Sequence, residues 1–224
     1  MSEDMSDFDA EYKMILVGNS TIGKTTLFKK LTKDIFNENN VSTIGIDKKI
    51  LEYEINIKEN EKEVKKNIRI SLYDTAGQER FLSSTKSYFK RANGVILLYS
   101  IIDKRSFDNL SKWLNEVKEV LDNHEKGKYL IFLIGTKYDI VKDDEDKRQV
   151  TVNEASDFCD KNNLLWYGEY SSKDTSQETF NNLFAEFGKK LYEKIGFNRI
   201  ERDNISILSS KKNKKRKKRC NNCK

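Results

Sequence analysis

The sequence predicts an α/β domain: a six-stranded, mostly parallel sheet with helices on both faces and one antiparallel edge strand. Three observations carry this reading. Apolar runs of strand type alternate with stripes of helical period from about residue 11 to 195. Two of the strand-like runs follow one another with no helical stripe between them, as in a hairpin. A chain of 224 residues, 37% apolar and 35% charged, is long enough for one well-buried core and too apolar for a disordered one.

In chain order, Tyr12–Val17 is a compact apolar run ending at Gly18, as a strand buried on both faces would be. Lys24–Leu31 reads as a helix. Leu51, Tyr53, Ile55 and Ile57 alternate with polar residues, and Ile68, Ile70 and Leu72 repeat the period of two. The charged stretch Lys58–Asn67 is read as their connection, longer than such a hairpin needs. Val95–Ile102 and Tyr129–Gly135 are further buried strands, and Leu164–Tyr167 a short last one. Phe107, Leu110, Leu114, Val117 and Leu121 form a helical stripe after Ser106, read as its N-cap. Glu154–Lys161 is a helix with Cys159 packed inward. Thr175-Ser-Gln-Glu178 has capping-box spacing ahead of Phe180, Leu183, Phe184, Phe187, Leu191 and Ile195 on one face.

The chain divides into an acidic N-terminus (1–10) read as disordered, one domain (11–195), and a flexible tail (196–224). No apolar run reaches the length of a membrane span, and the N-terminus is no signal peptide, so the protein is expected to be cytosolic. Three cysteines and one histidine provide neither a disulfide framework nor a zinc site. The net charge of +6 is uneven: nine of the 42 Lys and Arg lie in 211–224, leaving 33 bases against 36 acids elsewhere. The basic partner surface is the tail's alone.

Gly18-Asn-Ser-Thr-Ile-Gly-Lys-Thr25 fits G-x-x-x-x-G-K-[ST] between a predicted strand and helix. Such a loop turns its N–H groups onto phosphate oxygens at a helix N-terminus. Lys24 then reaches the β- and γ-phosphates, and the Thr25 hydroxyl ligates Mg²⁺. Asp74-Thr-Ala-Gly77 follows the next strand, placing a carboxylate for Mg²⁺ and the Gly77 N–H for the γ-phosphate. Gln78 can orient a water for in-line attack; read alone, a solvated loop residue is the favoured reading. Thr136-Lys137-Tyr138-Asp139 ends a strand, and its carboxylate can accept from guanine N1–H and the 2-amino group, donors adenine lacks. Ser171-Ser172-Lys173 can present backbone N–H to guanine O6.

In order and spacing these motifs resemble a Ras-superfamily small GTPase, most closely the Rab branch. The resemblance covers residues 11–195 and is carried by Gly18–Thr25, Ser42-Thr-Ile-Gly-Ile-Asp47, Tyr73–Phe81, Thr136–Asp139 and Glu169–Lys173. It implies a P-loop NTPase G domain that binds GTP and GDP with Mg²⁺ and hydrolyses GTP slowly. Gln78 and Lys24 would be the catalytic groups, and Thr25, Thr43 and Asp74 the metal ligands or their support. The implied nucleotide-binding set is Asn19, Ser20, Thr21, Ile22, Gly23, Lys24, Thr25, Thr26, Phe36, Thr43, Gly77, Thr136, Lys137, Asp139, Ser171, Ser172 and Lys173. Phe36 would stack on the guanine, and Thr43 would close over Mg²⁺ and the γ-phosphate. The family also implies an exchange factor, a GTPase-activating protein supplying a missing group in trans, and effectors reading switches I and II in vesicle trafficking.

The departures are specific. Thr21 stands where glycine is usual, a costly choice if the position needs positive φ. Thr136 replaces Asn, and Ser172 replaces Ala. Lys48, Tyr73 and Tyr88 occupy the positions of the usual Phe-Trp-Tyr effector triad. These departures motivate a second reading, a hydrolysis-impaired GTP-binding interaction module without regular cycling.

The tail, Lys211–Arg219 followed by Cys220-Asn-Asn-Cys223-Lys224, admits three readings: a nucleic-acid patch, a solvated tail or a membrane anchor. Eight basic residues contribute at most about 8 kcal/mol at an anionic leaflet, and a lipid chain beside such a patch anchors stably. The resemblance favours prenylation of Cys220 and Cys223, although CxxC-Lys is not a standard family ending. It implies a monomer on the cytoplasmic face of intracellular membranes, with a soluble pool and no nucleic-acid partner.

Overall fold

The structure, a computed structural model, describes residues 8–31, 46–75 and 87–198. Its elements are β1 (Ala10–Val17), α1 (Lys24–Leu31), β2 (Ile46–Glu59), β3 (Lys62–Thr75), β4 (Gly94–Ser100), α2 (Lys104–Asp108), α3 (Leu110–His124), β5 (Leu130–Thr136), α4 (Tyr138–Val141), α5 (Val152–Asn162), β6 (Leu165–Tyr170) and α6 (Gln177–Ile195). The strands form one sheet in the order β2-β3-β1-β4-β5-β6. Only the β2–β3 pair is antiparallel, with β2 at the edge, as the hydrophobic patterning predicts.

Alternation along the buried strands assembles two cores. On one face Met14, Leu16, Ile70, Leu72, Ile96 and Phe132 meet α1 and α6. On the other, Ile15, Val17, Val95, Leu97 and Leu133 meet α3 and α5. The stripe read on the last helix is the buried face of α6, where Phe187 stacks on Phe132 with ring centroids 4.3 Å apart. Full burial of such a side chain contributes on the order of 2–3 kcal/mol. Cys159 lies in the second core, and burial pushes its thiol up to about 12.

Three local readings need correction. The hairpin connection is not Lys58–Asn67: β2 and β3 pair in register out to Glu59↔Lys62, leaving a two-residue turn at Asn60-Glu61. Both turn residues have positive φ, 51° and 65°, the twist that a two-residue hairpin requires. The polar extension is laced by Lys65–Glu54 and Lys66–Glu59 ion pairs across the strands. Ser106 is not an N-cap. Asp103 caps α2 by accepting from the Arg105 and Ser106 N–H groups, and Ser106 is buried with its hydroxyl turned to Ser100. Ser176, not Thr175, caps α6. The capping box belongs instead to Thr151 and Glu154 at the start of α5, where hydrogen bonds from the Thr151 N–H, the Lys104 ammonium and the Thr151 hydroxyl hold the Glu154 carboxyl down to about 2.

After α6 the chain folds back onto the start of β1. Tyr12 donates its hydroxyl to Gly196 O at 2.5 Å. Glu11 N–H donates to Asn198 O at 2.7 Å, and Asn198 Nδ2 donates to Glu11 O at 2.7 Å. Among the described residues no helix is long and apolar enough to cross a membrane.

Candidate nucleotide site

The candidate residues gather at the carboxyl ends of the strands. The order reverses at β1, whose neighbours are β3 on one side and β4 on the other, and a crevice at that point is where open α/β sheets take ligands. The turn from β1 to α1 fills it with Gly18-Asn-Ser-Thr-Ile-Gly23, and Lys24, Thr25 and Thr26 open α1. Gly18 admits no other residue: a Cβ there would sit 2.4 Å from Leu98 O, and φ is 148°. Gly23 has φ of 104°.

Thr21, read as a costly residue if the turn needs positive φ, has φ of 62°. A non-glycine residue held there costs about 1–3 kcal/mol, and a β-branched one is an outlier. Its side chain is exposed and adds little packing. Thr21→Gly should therefore stabilise the protein by about 1 kcal/mol after the entropy glycine adds to the unfolded chain. The expected result is a melting temperature about 2–4 °C higher by thermal denaturation; an unchanged or lower value would show that the turn carries no such strain.

Lys24 is buried at 5% exposure, and its ammonium donates to Gly18 O at 2.9 Å and Asn19 O at 2.5 Å. The lysine thus curls over the loop that its own helix follows. Thr25 donates its hydroxyl to Asp74 Oδ2 at 2.6 Å, although the two residues are 49 apart in sequence. Asp74 is fully buried near the end of β3, opposite Leu16 of β1 in register. Thr75 beside it donates to Leu16 O at 2.7 Å, which fastens the end of β3 to β1. A hydroxyl and a carboxylate meeting in this way form a small set of hard oxygen donors. That set fits Mg²⁺, which takes few protein ligands and keeps waters or phosphate oxygens for the rest.

Thr136 ends β5 with its hydroxyl 2.5 Å from Ile22 O and 2.8 Å from Tyr99 O, tying the loop to β4 and β5. Lys137 follows in the left-handed region, φ 67° and ψ 33°, and Asp139 lies in the first turn of α4. Burial pushes the Lys137 ammonium below its usual value, partly offset by the Asp103 and Asp139 carboxylates. In the loop after β6, Ser171 Oγ accepts from the Lys173 and Asp174 N–H groups, and Ser171 N–H donates to Thr175 Oγ1. Of the three amides read as facing guanine O6, Ser171 and Lys173 are thus turned inward on their own loop. Ser172 N–H makes no hydrogen bond among the described residues.

The Lys142–Arg148 segment braces these two loops. Arg148 forks onto Glu169 of β6 at 2.7 and 3.0 Å, and Lys142 pairs with Asp174. Within the segment Lys147 pairs with Asp144 and Arg148 with Glu145. Sequence reasoning also missed Trp113 of α3, whose Nε1–H donates to Asn19 Oδ1 at 2.8 Å. The available signal was chemical: Trp113 falls on the apolar stripe between Leu110 and Leu114, and a buried indole N–H needs an acceptor. Phe36, Thr43, Gly77, Gln78, Cys220 and Cys223 lie outside the described residues.

The sequence model of the Ras family matches residues 13–193. The chain is 32% identical over 198 residues to the GTP-binding protein ypt1 of Schizosaccharomyces pombe, an alignment covering 88% of each. It is 34% identical over 187 residues to the human Ras-related protein Rab-30, covering 84% of this chain and 83% of that one. This chain belongs to the Ras family. Likeness to the Ras-related protein SEC4 of Saccharomyces cerevisiae, 32% over 219 residues and 95% of this chain, places it in the Rab branch. As a Rab-type small GTPase it binds GTP and GDP and hydrolyses GTP.

Lys48, Tyr73 and Tyr88, read as standing at the positions of the usual effector triad, are all among the described residues. Lys48 and Tyr73 face each other across β2 and β3. The Lys48 ammonium lies 5.5 Å from the Tyr73 ring centroid and that of Lys13 5.1 Å, so a cation flanks the aromatic ring on each side. Tyr88 is 37% exposed.

Proposed function

We propose that this GTPase is a membrane-trafficking switch: it binds its nucleotide with Mg²⁺, hydrolyses GTP slowly, and recruits effectors while GTP is bound. The observation that carries the chemistry is the 2.6 Å contact between Thr25 and Asp74, which brings the first residues of α1 to the end of β3. Thr25, supported by Asp74 and joined by Thr43, would hold Mg²⁺. Bound there, the ion would neutralise charge on the phosphate oxygens.

The chain's own groups do the rest. The Gly18–Gly23 amides cradle the phosphates, and Lys24 leaves its carbonyl partners to meet the charge developing on the β- and γ-oxygens. Gln78 holds the attacking water, and Gly77 N–H with Thr43 reads the presence of the γ-phosphate. Asp139 accepts from the guanine base, Ser172 N–H donates to O6, Lys137 packs along the nucleotide and Phe36 stacks on the ring. The family pattern offers no arginine in cis for the transition state, so an activating protein would complete the site in trans, and an exchange factor would reload it. Cys220 and Cys223, prenylated beside the basic run, would hold the switch on the cytoplasmic face of an intracellular membrane.

The strained Thr21 favours a second reading, a GTP-binding module that does not cycle. Protein isolated from its native cells separates the two. Denaturation should release GDP, and the reloaded protein should turn over GTP only with Mg²⁺. Persistent GTP, or an empty site, would install the second reading. From the same preparation, trypsin cleavage after Arg219 yields the peptide Cys220–Lys224. A mass raised by one or two isoprenoids is expected, and an unmodified peptide from the membrane fraction would overturn the anchor.

A further inference from the structure

We propose that Trp113 is a positioning residue that sets the rate of nucleotide release by holding the phosphate loop through Asn19. The inference rests on the reading that Gly18–Thr25 cradles the phosphates. Trp113 is 3% exposed in the first turns of α3, within the apolar cluster that also holds Val17, Leu97 and Leu110. An indole N–H can only donate, so the Asn19 atom facing it at 2.8 Å is the side-chain oxygen. The partner is 94 residues away and belongs to the loop rather than to the surrounding core.

Asn19 is thereby gripped twice. Its side-chain oxygen is fixed by Trp113, and its main-chain oxygen accepts from Lys24 at 2.5 Å. Holding Asn19 from outside fixes where that carbonyl stands, and with it the start of the Lys24 side chain's path to the phosphates. The opposite shoulder of the loop has its own tie, Thr136 to Ile22 O at 2.5 Å. Between the two ties lies Thr21 at φ 62°, the residue that would pull the loop toward a relaxed conformation. Removing the tie at Asn19 lets that strain discharge, and the amides lose their aim at the phosphate.

The test is a double-mutant cycle on the full-length protein, read as the rate of GDP dissociation. Trp113→Phe keeps the buried ring and deletes only the N–H; release should accelerate roughly five- to tenfold. Asn19→Ala should accelerate it by a similar factor. Because both act through one bond, the double variant should release GDP no faster than Asn19→Ala alone. Multiplying rates would overturn the proposal, as would an unchanged rate in Trp113→Phe, since a tryptophan serving only the core would act independently of Asn19. A second readout does not depend on the folding of that variant. Trp113 and Trp166 are the two tryptophans, so Trp166→Phe isolates the emission of Trp113. That emission should differ between GDP-bound and GTP-analogue-bound protein and lose the difference in Asn19→Ala; no difference at all overturns the proposal. Lys24→Ala is the control for the underlying reading: if it leaves GDP release unchanged, the loop does not hold the phosphates, whatever Trp113 does.

Discussion

Lys24→Ala is expected to leave a folded protein that is purified without nucleotide and does not turn over GTP. The ammonium is buried and donates to two carbonyls of its own loop, Gly18 O and Asn19 O, which holds it over the loop. Hydrogen bonds from a charged donor to phosphate oxygens are worth about 1.5–3 kcal/mol each. Two of them make a loss of about 10²–10⁴ in affinity, at about 1.4 kcal/mol per decade. Arginine should not rescue, because its planar fork cannot fill the place of a compact ammonium curled against two main-chain oxygens. Nucleotide content by chromatography after denaturation, beside a circular-dichroism melt, reads the result. A variant retaining a full complement of GDP would remove Lys24 from the phosphate site.

Asp139→Asn is expected to change which base the protein accepts. The side chain lies in the first turn of α4, on a backbone set by Lys137 in the left-handed region and braced through Lys142–Asp174. On the proposed reading its carboxylate accepts from N1–H and from the 2-amino group of guanine. Asparagine keeps one acceptor and turns an N–H₂ group toward the other donor, so one charged hydrogen bond is lost and two donors confront each other. The penalty is about 3–5 kcal/mol, or roughly 10²–10⁴ in GDP affinity. Xanthine carries an oxygen where guanine carries the amino group, and the asparagine amide can donate to it. In competition the variant should prefer XDP while the parent prefers GDP; a variant that still selects GDP would show that another residue reads the base edge.

The parts of this site legible in the sequence are those whose chemistry is local. Gly18–Thr25, Asp74 and Asp139 lie at or just beyond the carboxyl ends of β1, β3 and β5, where an apolar run gives way to polar residues that the sequence shows directly. Distant pairings were silent. Trp113 looked like one more apolar position on its helix, and only the fold brings its N–H to Asn19. Capping was misassigned twice for one reason: Asp103 stands three residues before Ser106, and Ser176 next to Thr175, so neighbouring residues competed for the same helix start. The hairpin was underestimated because the charged residues of Lys58–Asn67 resemble a loop. In a strand projecting past the core, charges on both faces meet water or each other across the ladder, and the period of two loses its apolar half.

The return of the chain onto β1 gives the protein a defined direction of pull. Asn198 is fastened to Glu11 by two hydrogen bonds at the start of β1, and the phosphate loop leaves the same strand at Gly18. Seven residues of strand separate those points, about 23 Å at roughly 3.3 Å per residue. In a protein tethered through its last residues, tension would therefore load the buried central strand at one end while the nucleotide is held at the other. The 26 residues beyond Asn198 can reach at most about 90 Å. In a protein so anchored, the tether's length would decide how far the nucleotide end ranges, and the Glu11–Asn198 bonds would pass the pull to β1.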